Sequence, residues 1–175
     1  PTTDVWTKKA DFGGMARHIA VGFSIGAKGY IGTGMDASNT YYKDFWEYNP
    51  ATNIWTQKAN FSGAARSGAV GFSIGIKGYL GTGGFLQDFW EYNPSTNTWV
   101  QKSNFGGSGR REAVAFSVCH KGYIGTGFDG GYQNDFWEYD PLYNKWSKKT
   151  NFGGTGRYGA ASFVIGEKGY ITTGY

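Results

Sequence analysis

The chain has 175 residues, a formal net charge of +4, 30 glycines and an aromatic content of 19%. This aromatic content excludes a disordered chain, and the length is sufficient for one domain with a hydrophobic core. The positive charge comes largely from lysines that recur along the chain, which argues against a nucleic-acid partner, and no apolar run approaches the roughly 18 residues of a membrane-spanning helix.

Sequence landmarks recur in a constant order at a period of about 44 to 49 residues, which is the signature of a repeat architecture. A tryptophan follows a turn-forming stretch at Trp6, Trp55, Trp99 and Trp146. An arginine follows a phenylalanine by five residues at Arg17, Arg66, Arg110 and Arg157. A Gly-Tyr pair begins at Gly29, Gly78, Gly122 and Gly169. The pentapeptide Asp-Phe-Trp-Glu-Tyr begins at Asp44, Asp88 and Asp135.

In chain order, residues 1–175 divide into strand-like segments of one repeat domain, which we label a to d within each unit. Residues 1–12 supply a d strand, residues 13–61, 62–105 and 106–152 are full repeats, and residues 153–175 supply the a and b strands of a fourth. In the first full repeat, segment a covers 17–25, b covers 29–34, c covers 44–49 and d covers 54–59. Between c and d, the sequence Asn-Pro-Ala-Thr-Asn predicts a turn, because Pro fixes φ and Asn tolerates left-handed conformations.

Segment a predicts how the units pack, because side chains alternate between the faces of a strand. One face carries Val21, Phe23 and Ile25, and the other carries Ala20, Gly22 and Ser24. The same alternation of large and small residues recurs in the second and third units. Both faces are therefore expected to be buried, with the large face of one unit on the small face of the next. Four-stranded sheets stacked in this way around an axis form an all-β propeller, with segment a at the axis and the lysine-bearing segment d at the rim.

The motif Gly-Tyr-Ile-Gly-Thr-Gly, followed by Asp-Phe-Trp-Glu-Tyr-Asn-Pro and then Trp, resembles the kelch repeat over essentially the whole chain. The resemblance implies a β-propeller of kelch-type four-stranded blades. Family members usually end segment b with a Gly-Gly doublet, whereas these units have Gly-Thr-Gly. This variant resembles a branch of bacterial, secreted kelch-repeat proteins.

The inventory of segments predicts three full blades plus partial blades at both ends, and propellers of the kelch family usually have more blades. Because the first residue is Pro, we expect a processed chain or an excerpt. An open arc would expose an apolar face at each end, and such faces rarely stay exposed. We therefore expect either part of a larger propeller or a ring completed by homo-oligomerisation. Closure of a four-bladed ring with a thin last blade is the alternative.

Residue types that support nucleophilic or metal-assisted chemistry are sparse. His18 and His120 are expected on opposite faces of the propeller, where they cannot share a metal ion. Cys119 replaces a turn glycine of the other units. Because it is the sole cysteine, an internal disulfide is excluded, and the cysteine content does not indicate the cellular compartment. Kelch repeats also occur in copper radical oxidases, but Cys119 and His120 at the a–b turn fall on the wrong face for a copper site of that kind. We predict no catalytic residue, no metal and no cofactor.

Acidic residues repeat with the c strand. Glu47, Glu91 and Glu138 are expected to form ion pairs at the rim or between blades, since the repeat spaces them a whole blade apart. Asp44, Asp88 and Asp135 precede segment c and are expected to accept hydrogen bonds from turn amides. The loop 129–135 lacks the spacing and the bidentate Glu of a calcium loop and is interpreted as an ordinary loop.

The repeated arginines begin segment a, at the face where the d–a and b–c loops emerge. On a propeller, Arg17, Arg66, Arg110 and Arg157 would form a partial ring around the channel mouth. The planar guanidinium suits carboxylates, and the kelch resemblance implies binding of acidic peptides at such arginines. The alternative is that each arginine ties together neighbouring loop carbonyls, and the sequence leaves both interpretations open.

Residues that vary between the units are better pointers to a specific ligand, because recognition usually lies on variable loops of a fixed scaffold. The position after the arginine holds His18, Ser67, Arg111 and Tyr158. The b–c loops present Tyr41, Tyr42, Phe85, Phe128 and Tyr132. These aromatic and arginine side chains suit a protein partner or the rings of a glycan, although they could also pack on their own loops.

We therefore expect a non-catalytic binding module that presents loop arginines and aromatics to a protein or glycan. Replacing Arg66, Arg110 and Tyr132 is expected to abolish binding of that partner without lowering the melting temperature. Two alternatives stay open: a carbohydrate-active enzyme on a kelch propeller, resembling a sugar mutarotase or lyase, and a purely structural, self-assembling propeller unit.

Overall fold

A computed structural model describes residues 4–175, which form fourteen β-strands of five residues each. Blade 1 contains β1 (Val21–Ile25), β2 (Lys28–Gly32), β3 (Phe45–Asn49) and β4 (Ile54–Lys58). Blade 2 contains β5 (Val70–Ile74), β6 (Lys77–Gly81), β7 (Phe89–Asn93) and β8 (Thr98–Lys102). Blade 3 contains β9 (Val114–Val118), β10 (Lys121–Gly125), β11 (Phe136–Asp140) and β12 (Lys145–Lys149), and blade 4 contains β13 (Ala161–Ile165) and β14 (Lys168–Thr172).

Each full blade is an antiparallel meander in chain order, as expected for a propeller blade. The a strands of successive blades are neighbours, because β1 contacts β5, β5 contacts β9, and β9 contacts β13. This places segment a at the axis and segment d at the rim, which confirms the predicted all-β propeller architecture. Residues 4–175 contain no helix long and apolar enough to cross a membrane.

Two predicted segments differ from the structure. Segment a begins at Val21, four residues after Arg17, because Arg17 lies in the preceding loop. Of the expected d strand in residues 1–12, residues 1–3 lie outside the described chain and residues 4–12 form no strand. A d strand pairs only with its c strand, and none precedes this segment in the described chain. The segment still packs on blade 1, where the Ala10 amide donates to Asn53 Oδ1 at 2.8 Å.

The blades pack by inserting a large side chain into a glycine socket of the next blade. Phe23 of blade 1 lies against Gly71 and Gly78 of blade 2, so closely that a Cβ on Gly78 would lie 2.6 Å from the ring of Phe23. Phe72 and Phe116 occupy the corresponding sockets at Gly122 and Gly169. This confirms the predicted packing of large faces on small faces. Gly32, which ends β2, lies instead against Phe45 of its own blade.

The outer half of each interface is held by the c–d hairpin of the following blade. In blade 2, the rings of Tyr92 and Trp99 both lie 4.9 Å from the ring of Phe45 in blade 1. Trp99 Nε1 also donates to the Ala59 carbonyl at 3.2 Å, and Asn97 Oδ1 accepts from the Ala59 amide at 2.9 Å. Blade 3 repeats the arrangement against blade 2 with Asn144, Trp146, Ser103, Tyr139 and Phe89. The c–d hairpin therefore stabilises each blade on its predecessor through both backbone and aromatic contacts.

The ring is open across residues 4–175. β1 contacts strands of blade 2 but none of blade 4, so the four-bladed closure considered above is not formed. At the far end, the side chains of Phe163 and Ile165 are 46% and 62% exposed, whereas Val70 and Phe72 in the blade 2 core are buried. The described chain is therefore an arc of three full blades and the two inner strands of a fourth.

Candidate functional site

The strands open onto two opposite faces. We call one the loop face, formed by the loop that precedes β1 at residues 13–20 and by the b–c and d–a loops at residues 33–44, 59–69, 82–88, 103–113, 126–135 and 150–160. The other is the turn face, formed by the tight a–b and c–d turns. All twelve residues predicted for the binding site lie on the loop face or beneath it. His18 lies on the loop face, while His120 lies in the β9–β10 turn on the turn face.

The repeated arginines lie beneath the loop face, and three of them form a buried clamp with the aspartate that precedes strand c. The Arg66 guanidinium donates to both carboxylate oxygens of Asp88, at 2.5 and 2.7 Å, and to the Thr82 carbonyl at 2.9 Å. Its side chain is 1% exposed and lies over the ring of Phe61. Arg17 with Asp44, and Arg110 with Asp135, repeat the clamp. The expectation that Arg17, Arg66 and Arg110 face a ligand is therefore wrong, because burial and intramolecular partners leave them no free donor edge.

The aspartates of the clamp also differ from the prediction. Asp88 accepts from the Trp90 indole nitrogen at 2.8 Å as well as from Arg66, rather than from turn amides. Burial raises the pKa of Asp88, but the hydrogen bonds from Arg66 and Trp90 outweigh burial and hold the pKa below its usual value. Asp44 and Asp135 show the same balance. The clamp is thus a charged structural pair that joins the d–a loop to strand c.

The repeated glutamates pair within their own blades rather than between blades. Glu138 accepts a hydrogen bond from Tyr123 on the neighbouring b strand and forms an ion pair with Lys149 at 3.1 Å. Burial is the main cause, and the hydrogen bond to Glu138 the second, that raises the pKa of Tyr123 to about 12. Glu47 and Glu91 make equivalent contacts with Tyr30 and Tyr79. Each glutamate therefore ties strand c to its neighbouring strands.

The residue after each arginine reaches the outer surface of the loop face. Backbone hydrogen bonds pair this residue with the one that follows the Gly-Thr-Gly motif, or Thr-Thr-Gly in blade 4. Arg111 exchanges two bonds of 3.0 Å with Phe128, and Tyr158 pairs in the same way with Tyr175. His18 pairs likewise with Met35, and Ser67 accepts from Gly84. The pairing adds Met35 and Tyr175 to the predicted surface. Sequence reasoning missed these two residues, although their constant offset from the Gly-Tyr pair would have located them.

Arg111 is the centre of an aromatic surface that spans three blades. Its guanidinium lies 5.4 Å from the ring centroids of both Phe85 and Phe128, and its side chain is 45% exposed. Tyr132 stacks on Tyr158 with centroids 5.7 Å apart and planes within 1° of parallel. Contacts between Phe128 and these two tyrosines connect the halves of the surface. We call this set, extended by Tyr175, the aromatic strip: Phe85, Arg111, Phe128, Tyr132, Tyr158 and Tyr175.

A cavity of about 290 Å³ adjoins the strip between blades 1 and 2. It is lined by Tyr41, Ala65, Arg66, Ser67, Gly84, Phe85, Leu86 and Arg111. Tyr41 is 52% exposed at its rim, whereas Tyr42 is half-buried, donates its hydroxyl to Asp36 and lies over Arg17. Tyr42 is therefore a structural residue, contrary to the prediction. Tyr41 and the aromatic strip are brought together, and His18 lies beyond the cavity on blade 1.

Asp129 of the loop 129–135 is held by hydrogen bonds from its own loop and from the neighbouring d–a loop. The Asp129 carboxylate accepts from Ser108, from the Gly131 amide and from Gln133. These bonds leave Asp129 as a turn-forming residue, in line with the interpretation as an ordinary loop. Within residues 4–175, no three His, Cys, Asp or Glu side chains are grouped closely enough to hold a metal ion.

A family profile described as the KLHDC2/KLHL20/DRC7 Kelch-repeats domain matches residues 2–174. The chain belongs to the kelch-repeat family. This kelch chain is also similar to the solved structure of YjhT, with a TM-score of 0.76 and 22% identity over 90% of its length. It spans 58% of the YjhT chain, and at this identity the likeness shows the fold alone. No curated protein matches the chain.

Kelch-repeat domains, to which this kelch chain belongs, are generally protein-interaction modules. Its Gly-Thr-Gly variant has a structural consequence. Thr33, Thr82 and Thr126 of this motif, and Thr173 of the Thr-Thr-Gly stretch at the same place in blade 4, all adopt positive φ, between 55° and 61°, where the usual glycine doublet of the family would do so without strain. Each of these threonines directly follows its b strand, and the residues after Thr82, Thr126 and Thr173 include members of the aromatic strip.

Proposed function

We propose that the chain binds a protein partner through the aromatic strip and the adjoining cavity on the loop face. The observation that carries the proposal is the exposed Arg111, placed between the rings of Phe85 and Phe128 beside a cavity of about 290 Å³. Aromatic and arginine side chains clustered around a concavity are typical of binding hot spots. The strip lies on loops that vary between the repeats, while the buried clamps beneath hold those loops in place.

The shape of the strip favours an extended peptide segment over a single sugar ring. Its rings run from Phe85 in blade 2, through Phe128 in blade 3, to Tyr175 beside blade 4. A partner that covers three blades must be several residues long. Arg111 offers a guanidinium edge with only a distant contact to Glu112, at 4.0 Å, so a carboxylate of the partner has a defined position.

Selection of peptides tests the proposal. A random library of twelve-residue peptides displayed on phage is panned on the protein, and the selected peptides are synthesised and titrated by calorimetry. We expect the triple variant Phe85→Ser, Arg111→Ser and Tyr132→Ser to weaken the selected peptides by roughly thirtyfold or more, the loss of at least one hot spot. Tyr132 and Phe85 are about half exposed, so the variant is expected to fold.

The matched control is a triple variant on the turn face, Ile76→Ser, Leu142→Ser and Tyr143→Ser, whose side chains are 72%, 79% and 74% exposed. This variant should bind the selected peptides as the wild type does. Equal affinity of the loop-face and turn-face variants would refute the site. A glycan array probed in parallel tests the glycan alternative. If no peptide is selected, and if the wild type binds glycans that the loop-face variant does not bind, the partner is a carbohydrate rather than a protein.

A further inference from the structure

A second cavity, of about 460 Å³, opens on the turn face where blade 2 packs against blade 1. We call it the turn-face cavity. It lies on the side of the molecule opposite the aromatic strip, and none of its lining residues lines the cavity beside the strip. Cavities of this volume are typical of sites for small molecules. The lining side chains that bear on its chemistry are Ile25, Lys28, Glu47 and Lys58 of blade 1 and Pro94 and Ser95 in the c–d turn of blade 2.

The glutamate in the wall of the cavity has both carboxylate oxygens occupied. Glu47 Oε1 accepts from the Lys28 ammonium at 2.7 Å, and Oε2 accepts from the Tyr30 hydroxyl at 2.6 Å. Burial would raise the pKa of Glu47, but these hydrogen bonds, together with the charges of Lys58 and Lys28, hold the pKa below its usual value. Glu47 therefore stays ionised at neutral pH, and its charge is matched by that of Lys28.

Lys58 has no such partner. Its equivalent in blade 2, Lys102, forms an ion pair with Glu91 at 3.5 Å. In blade 1 the corresponding glutamate pairs with Lys28, and among residues 4–175 no carboxylate lies within 4.0 Å of the Lys58 ammonium. Lys58 is half-buried at the wall of the cavity. Since Lys28 and Glu47 balance each other, the cavity keeps one net positive charge, and Lys58 carries it.

Apolar and polar groups flank this lysine. Ile25 is buried, and with Pro94 it forms an apolar part of the wall. Ser95 adds a hydroxyl at the mouth of the cavity, where the c–d turn of blade 3 has Leu142 at the equivalent position. A cationic side chain beside apolar ones suits a ligand that joins an anionic group to an apolar group.

We infer that the turn-face cavity binds a small organic monoanion, a carboxylate joined to a short apolar group. The carboxylate contacts the Lys58 ammonium and the Ser95 hydroxyl, and the apolar group packs against Ile25 and Pro94. One negative charge matches the net charge of the cavity. A phosphate monoester carries about −1.5 to −2 at neutral pH and would place excess negative charge beside Glu47. Because no residue is shared with the aromatic strip, this inference does not rest on the proposed function.

The test is a titration of the 175-residue protein with hexanoate, followed in ¹H–¹⁵N NMR spectra. We expect saturable shifts of the Gly26, Lys28 and Ser95 amides with a dissociation constant of roughly 1 mM, the affinity that a ligand this small supports. Hexanamide has the same shape without the charge and should bind roughly tenfold or more weakly, the usual effect of losing a charged hydrogen bond. Hexyl phosphate should also bind more weakly than hexanoate.

Protein variants locate the contact. Lys58→Met keeps the length of the side chain without its charge, and it should weaken hexanoate roughly tenfold and remove the preference over hexanamide. Lys102→Met, at the same position of blade 2, is the matched control and should bind hexanoate as the wild type does. Melting temperatures show that both variants fold.

Absence of saturable shifts with hexanoate would overturn the inference, as would equal affinity of the wild type for hexanoate and hexanamide. Equal weakening of hexanoate in the two lysine variants would remove Lys58 as the contact. Tighter binding of hexyl phosphate than of hexanoate would contradict the assignment to carboxylates.

Discussion

The clamp between Arg66 and Asp88 makes a quantitative prediction, because the fourth unit supplies a natural control. Replacing Arg66 with Met removes hydrogen bonds to Asp88, Thr82 and Ala64 and leaves a carboxylate, 21% exposed, without its partner. Loss of one member of a buried ion pair costs about 3–5 kcal/mol. This is a large share of the stability of about 5–15 kcal/mol that is typical of a domain.

The equivalent change Arg157→Met removes the same guanidinium from a position that holds no carboxylate within the described residues. Here we expect a loss below about 1 kcal/mol, as for ordinary exposed sites. Urea unfolding followed by tryptophan fluorescence measures both variants against the wild type. At about 2–4 °C per kcal/mol, the melting temperature of Arg66→Met should fall by roughly 10 °C.

Equal losses in the two variants would refute this reasoning, because Arg66 has both the aspartate and the deeper burial, and each of these predicts a larger loss of stability there than at Arg157. The prediction also replaces the earlier expectation that changes at Arg66 and Arg110 affect binding without lowering the melting temperature. Their burial makes them unsuitable for testing the binding face, and Arg111, one residue further along the chain, takes that role.

Two further predictions concern packing and pH. Gly78→Ala should destabilise the protein by about 1–3 kcal/mol in urea unfolding, because the added Cβ would lie 2.6 Å from the Phe23 ring. Its counterpart Gly29→Ala should be close to neutral, because the nearest atom to that Cβ lies at 3.9 Å. Equal losses of stability in the two variants would contradict the role of Gly78 as a socket for the Phe23 ring. Stability should also fall as the pH drops below about 4, since the clamped aspartates have pKa values below their usual range and the unfolded chain therefore binds more protons. Unfolding midpoints at pH 3 and pH 6 measure this effect, and a midpoint that does not change would contradict it.

The sequence by itself determined the repeat, the stacking rule and the face that carries the loops. Alternation of Phe23 with Gly22 and Ser24 is a local property of a strand, and its recurrence at a fixed period is sufficient to predict blades whose large faces pack on small faces. The variable position after the arginine also needed only the alignment of the units with each other. For this reason Arg111 and Tyr158 were found in advance at the surface where the structure places them.

Only the tertiary structure decided the roles of the charged residues. Arg66 and Arg111 are the same residue type in the same kind of loop, but one is buried against Asp88 and the other lies in the open between two rings. The partners that separate them are distant in sequence, and whether an aspartate accepts from a turn amide or from an arginine 22 residues away depends on how strand c packs beside the loop. Burial and pairing arise from contacts between segments, which a pattern along one segment does not contain.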